Sequence, residues 1–425
     1  MSVSSLPPLQ AFRRVLGLPQ PLDIPAAILA EWRRLDLGKD MTGKSIALGV
    51  GSRGITGLPE AAKCLIDLIH AAGGKPFIIP AMGSHGGATG PGQADMLAGL
   101  GITEKAMGCP IHSSMELSDY GISPEGIPLF CDKAAASADG ILLFNRVKAH
   151  TSFTAPVESG IHKMIAIGLG KEKAATWLHA QGPSGLARNM PLMARALVRK
   201  VPFLAGFAVV EDAAHQPAKI TALTADDMEE KEPALLAYAK SLSPSLPVEA
   251  IDLLIVDEIG KNISGTGMDT HVIGRLRIQG ELEPLSPQVA AIVALRLSEA
   301  THGNALGIGL ADFIPRDMLA QVDFDATARN VYATGNLERG RIPLVFPDDR
   351  AAIQAALQFV FRREPTRQAN ARILRIANTL ELGRGWFSPA LNEEMSGVPG
   401  LSLWGEPQVW PFDAQGKLAH GPRHF

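Results

Sequence analysis

Cysteine is scarce. Cys64, Cys109 and Cys131 are the only three in 425 residues, and their spacings of 45 and 22 positions fit neither a disulfide framework nor a zinc pattern. An excess of one charge is also missing. Forty basic residues face 43 acidic ones, a formal net charge of -3, which gives no polyanion-binding signature and makes nucleic acid an unexpected partner. No run approaches the roughly 18 consecutive apolar residues needed to cross a bilayer. The opening "MSVSSLPPLQAFRRVLGLPQPLD" lacks the apolar core and small-residue cleavage site of a signal peptide. The expectation is a cytoplasmic protein without a membrane partner.

What remains is the profile of a globular enzyme, with 46% hydrophobic and 20% charged residues. The length exceeds one ordinary core and implies two domains. "SIALGV" reads as a buried strand, "GLPEAAKCLIDLIHAAGG" as a helix with Pro59 in its first turn and Gly73-Gly74 at its end, and "KPFIIPAMG" as the next strand. This β-loop-α-β unit predicts an α/β fold with loops gathered at strand carboxyl ends. The Pro/Ser-rich "SPSLPVEA" marks the boundary. Residues 1–245 are expected to form a catalytic α/β domain and 246–425 a second α/β domain closing a cleft, both with mainly parallel or mixed sheets flanked by helices. No repeat or low-complexity tract is visible.

Three strand ends deliver polar loops: "GSRGITG", "GSHGGATG", and "KAHTSFTAPVESGIHK" after "ILLFNRV". "GVGSRG" matches the dinucleotide pattern, but the following strand ends "FIIPAMG" without the acid that would hold a ribose, so the loop better presents Arg53 to an anion. "IAIGLGK" is followed by Glu172, not by the Ser or Thr of a phosphate-binding loop. His85 and His150 occupy equivalent places on two strand ends, and two bases facing one pocket suit exchange of a group from either face of a carbon. Lys163 begins the apolar run "MIAIGLG", where desolvation would make its amine nucleophilic. His179 stands 16 residues beyond it. His162 is a neighbour of Lys163, His70 reads as scaffold, and His420 and His424 as tail residues.

This ordered set, from Gly49 to Pro183, resembles the nickel-pincer-dependent lactate racemase family of 2-hydroxyacid racemases and epimerases. The resemblance implies a nickel-pincer nucleotide, a pyridinium-3-thioamide-5-thiocarboxylic acid mononucleotide with Ni, tethered to Lys163 through a thioamide. It makes His179 the nickel ligand and His85 and His150 the paired acid/base residues. Arg53 would grip the substrate carboxylate and Lys261 would face the substrate from the second domain. Cofactor-biosynthesis enzymes become expected partners and a 2-hydroxy acid the expected substrate. The family's segment H-x-F-A-G-[FY]-S-G-G-x-K is three residues shorter than "HTSFTAPVESGIHK", "GSRGIT" replaces its aspartate-threonine-arginine-proline loop, and "GSHGG" lacks its arginine. Those departures point to a substrate longer or more hydroxylated than lactate. Two other readings compete: an NAD(P)-dependent oxidoreductase using "GVGSRG", and a non-catalytic metal- or organic-acid-binding protein on the same scaffold.

Overall fold

A computed structural model of the chain describes residues 6–15, 17, 19–52 and 54–419, so Arg53, His420 and His424 lie outside the described residues. The chain divides into two compact units, Leu18–Ser243 and Met1–Gly17 joined with Pro244–Phe425. Strand β1 is Leu9–Arg14. The unit Leu18–Ser243 carries β2 (Ser45–Val50), β3 (Lys75–Pro80), β4 (Leu117–Ile122), β5 (Pro128–Asp132), β6 (Gly140–Arg146), β7 (Phe203–Glu211) and β8 (Pro217–Leu223). Later come β9 (Ala250–Val256), β10 (Gln288–Ala294), β11 (Phe313–Pro315), β12 (Leu344–Phe346), β13 (Ile373–Ile376), β14 (Arg384–Phe387) and β15 (Leu401–Gln408).

In Leu18–Ser243 a five-stranded sheet runs β3-β2-β6-β7-β8, with β4 and β5 paired as a separate hairpin. The first four strands are parallel and β8 closes the edge antiparallel. Parallel strands are covered on both faces, which explains the continuous apolar text of "IALGV" and "GILLF". On one face the helix Leu58–Ala71 buries Leu58, Ala61, Ala62, Leu65, Ile66 and Ile69, a 3.6-residue stripe, with Pro59 and Glu60 at its start and His70 at its end. Each large aliphatic side chain so buried contributes about 1.5–3 kcal/mol. The other face is covered by residues 161–169 and by the helix Gly182–Val198.

Strand β2 connects to β3 on one side, while β6 pairs on its other side. The chain therefore changes direction between β2 and β6, and the region outside the carboxyl ends at such a point is the usual ligand position of open α/β sheets.

The other unit is an eight-stranded sheet, β12-β11-β10-β9-β13-β14-β1-β15. β1 lies antiparallel between β14 and β15, with Phe12 opposite Gly385 and Leu403. Residues 1–17 thus belong to this unit rather than to the run 1–245 expected from the sequence. The reason is physical: the backbone donors and acceptors of β1 find their ladder partners only in strands near residues 384–408.

Among the described residues no helix is long and apolar enough to cross a membrane. The three cysteines are free thiols. Burial pushes Cys131 up to about 12 and Cys109 up to about 11, so neither is a thiolate nucleophile near neutrality.

Candidate active site

The loop after β6 is tied at its neck and again at its far end. The Lys148 backbone N–H donates to Ser159 Oγ (2.7 Å), and that hydroxyl donates back to the Lys148 carbonyl (2.6 Å). Glu158, wholly buried, accepts the backbone N–H groups of His150 (2.7 Å) and Ala155 (3.0 Å) and the Nζ of Lys240 (2.6 Å). A carboxylate that collects donors from both sides of a loop fixes its shape. The sequence had left Glu158 without a role; the structure makes it the organiser of the His150 loop.

His150 is half-buried, stacked on Phe153 with centroids 4.3 Å apart at 22°. Its Nδ1 accepts the Ser152 backbone N–H (3.2 Å). Because that partner can only donate, the neutral ring keeps its proton on Nε2. His85 is exposed, and its Nδ1 shares a hydrogen bond with Ser52 Oγ, at the end of β2. A hydroxyl can donate or accept, so this contact by itself fixes neither tautomer of His85. Buried Gln93 braces the His85 loop by donating from Nε2 to the carbonyls of Gly83 (3.0 Å) and His85 (3.2 Å).

Lys163 ends the short helix Gly160–Lys163, held to β6 by Asn145 Nδ2 donating to the Gly160 carbonyl (2.9 Å). Gly160 has φ +76, and a Cβ there would sit 2.1 Å from Glu232 Oε1, so only glycine fits. The next six residues, Met164–Leu169, form a fully buried π-helix rather than the ordinary helical run expected from the sequence. It lies across the strand ends. A Cβ on Gly51 would meet the Met164 sulfur at 3.7 Å, and one on Gly83, at the end of β3, would meet Ile167 at 2.8 Å. Lys163, half-buried, is therefore carried on the segment that spans the ends of β2, β3 and β6.

Sixteen residues along one straight helix would place His179 about 24 Å from Lys163. Instead the chain turns at Lys171, whose φ is +52, and a new helix, Lys171–Ala180, begins there. His179 lies in its last turn, and partial desolvation first, then the charge of Lys163, lower its imidazole from the ordinary 6.5. Both effects favour the neutral ring, the state in which imidazole ligates a metal. Among the described residues no group of three or more His, Cys, Asp or Glu side chains could hold a metal ion.

Arg53 lies outside the described residues. Lys261 belongs to the other unit, just beyond β9, where its Nζ donates to Asn330 Oδ1 (2.6 Å) and its backbone N–H to Thr301 Oγ1 (3.2 Å). Sequence reasoning also missed Arg146, at the end of β6. It ion-pairs with buried Glu211, whose other oxygen accepts the Thr56 N–H (2.9 Å), so it ties the β2, β6 and β7 ends together.

His162, set aside earlier as a neighbour of the anchor, is wholly buried between Glu232 (3.0 Å from Nδ1) and Glu229 (3.4 Å from Nε2). Burial pulls its pKa down, but the two carboxylates outweigh it and the net shift is upward; burial likewise raises Glu232. Both groups hold protons more tightly folded than unfolded. Their contribution to stability is therefore full at acid pH, below their unfolded values, and is lost as pH rises through the folded ones. The melting temperature is expected to fall as pH rises above the ordinary histidine value of 6.5, and His162→Asn should flatten that slope. An unchanged slope in the variant would remove His162 as its source.

No protein-family model matches this chain, and no curated protein matches it. Among solved structures it is similar to the lactate racemase apoprotein from Thermoanaerobacterium thermosaccharolyticum, with a TM-score of 0.50 and 12% identity over 86% of this chain and 94% of that one. At that identity the likeness is one of fold: the chain shares the mixed α/β architecture of a racemase scaffold.

Proposed function

We propose that the chain is an isomerase, a racemase or epimerase that inverts C2 of a 2-hydroxy acid larger than lactate with a lysine-tethered nickel-pincer nucleotide. The observation that carries this reading is the placement of Lys163 on the segment that crosses the ends of β2, β3 and β6, where the loops of His85 and His150 begin. The donor set fits the group. Lys163 offers a half-buried amine for a covalent tether, and His179 a single neutral imidazole. With no multi-residue metal cluster among the described residues, the remaining donors would have to come from the group itself. When bound, such a nucleotide supplies a hydride acceptor that also returns the hydride.

The chain's own residues then handle the proton and the orientation of the substrate. His85, with Nδ1 on Ser52, is assigned to take the 2-hydroxyl proton. His150 presents an Nε2–H to the same oxygen from the β6 side, its tautomer fixed by Ser152 and its plane by Phe153. Arg53 is assigned to the carboxylate, which its planar fork can grip bidentately. The six buried residues of the π-helix keep the floor of the site dry, where such polar contacts are strongest.

The test is a panel of single-enantiomer 2-hydroxy acids followed by chiral chromatography, using protein loaded with nickel and cofactor. Inversion of at least one acid is expected. His85→Ala and His150→Ala should each lower the rate about 100-fold or more while keeping the nucleotide on Lys163. Full activity in either variant would remove that histidine from the mechanism.

A further inference from the structure

We propose that Lys171 is a positioning residue: through Gln93 it sets the loop that carries His85, and through its own backbone it makes the turn that starts the helix bearing His179. The proposal rests on the functional reading of those two histidines. Lys171 is wholly buried, and its Nζ has three partners on three elements: the Pro80 carbonyl at the end of β3 (2.6 Å), Gln93 Oε1 on the helix Gly90–Gly99 (3.2 Å), and Asp132 Oδ2 at the end of β5 (3.0 Å). Two of its hydrogens go to Pro80 and Gln93, and its charge pairs with Asp132. Stability alone is a poor reason for the pair, because a buried ion pair can often be replaced by apolar residues of similar volume without loss. Position is what apolar residues could not supply.

Lys171 takes Gln93 Oε1, which fixes the amide's orientation and turns both Nε2 hydrogens toward the Gly83 and His85 carbonyls. Without the lysine that amide could flip, and the loop would lose two hydrogen bonds. The same residue holds the left-handed backbone at φ +52 that starts the helix Lys171–Ala180. A non-glycine residue there is strained, and its buried ammonium anchors the turn. Burial draws the pKa of Lys171 down while Asp132 draws it back up, as for an ammonium held by one carboxylate.

Two variants test the proposal, because Lys171→Met alone leaves Asp132 buried without its partner and could fail to fold. Gln93→Leu breaks only the link to the loop. K171M/D132N removes both charges of the pair and keeps the Asp132 oxygen that caps Ala135 (3.0 Å). After circular dichroism confirms folding, amide exchange is read over residues 83–89 and the His85 ring is titrated by NMR. The proposal predicts exchange about tenfold faster and a shifted His85 titration in both variants. It also predicts a kcat about 100-fold lower with KM little changed. Wild-type exchange and titration in two folded variants would overturn it. If the wild-type protein inverts no acid, the functional reading fails, while exchange and titration still decide whether Lys171 positions His85.

Discussion

Lys163→Ala protein, produced together with nickel and the cofactor-biosynthesis enzymes, is expected to fold, to carry no nucleotide and to invert no 2-hydroxy acid. Lys163 is half-buried on a four-residue helix, so trimming its side chain should cost about 1 kcal/mol or less in stability. Its loss removes the nucleophile on which the tether depends. Lys171, eight residues on, cannot replace it, since its amine is wholly buried and bonded to Pro80, Gln93 and Asp132. Activity should therefore fall to the uncatalysed background, many orders of magnitude below that of an enzyme. Lys163→Arg is the sharper control. It keeps a positive charge at position 163, yet a guanidinium forms no thioamide, so the nucleotide should be lost with that charge intact. Turnover by either variant would mean that the hydride carrier is held elsewhere.

The largest effect on stability should come from Lys171→Met. Methionine matches the length of the lysine stem but leaves Asp132, 1% exposed, as a buried carboxylate without its ion-pair partner. Breaking such a pair from one side costs about 3–5 kcal/mol, a large part of what holds a domain together. Adding Asp132→Asn removes the stranded charge and should recover most of that loss. Urea unfolding of the two variants separates the outcomes. A loss below about 1 kcal/mol in the single variant would show that the pair is solvated or neutral in the folded chain.

Much of the unit Leu18–Ser243 was legible because its signals are local. The strand "SIALGV", the helix opened by Pro59 and the strand "KPFIIP" follow from apolar period and punctuation within 40 residues, and they put His85 at a strand end. The strand "GILLFNR" did the same for His150. What stayed hidden depends on partners far along the chain. Glu158 gains its role from Lys240, His162 from Glu232 and Lys171 from Asp132, and nothing near these residues in the sequence announces their burial. "IAIGLGK" suggests only a phosphate-binding loop, which Glu172 rules out. Only the fold shows its lysine inside, at a left-handed turn. β1 escaped for the same reason, since its sheet partners lie in the last tenth of the chain.

The fold and the strand-end placement of the two histidines are common to several chemistries; a nucleotide tethered to Lys163 would not be. Peptide mass spectrometry of the wild-type chain, made in cells that load a lactate racemase with its nucleotide, tests the central claim most directly. The account predicts that the peptide containing Lys163 carries the mass of the thioamide-linked nucleotide and that nickel copurifies with the protein. An unmodified Lys163 in that sample, with the control racemase fully loaded, would contradict it.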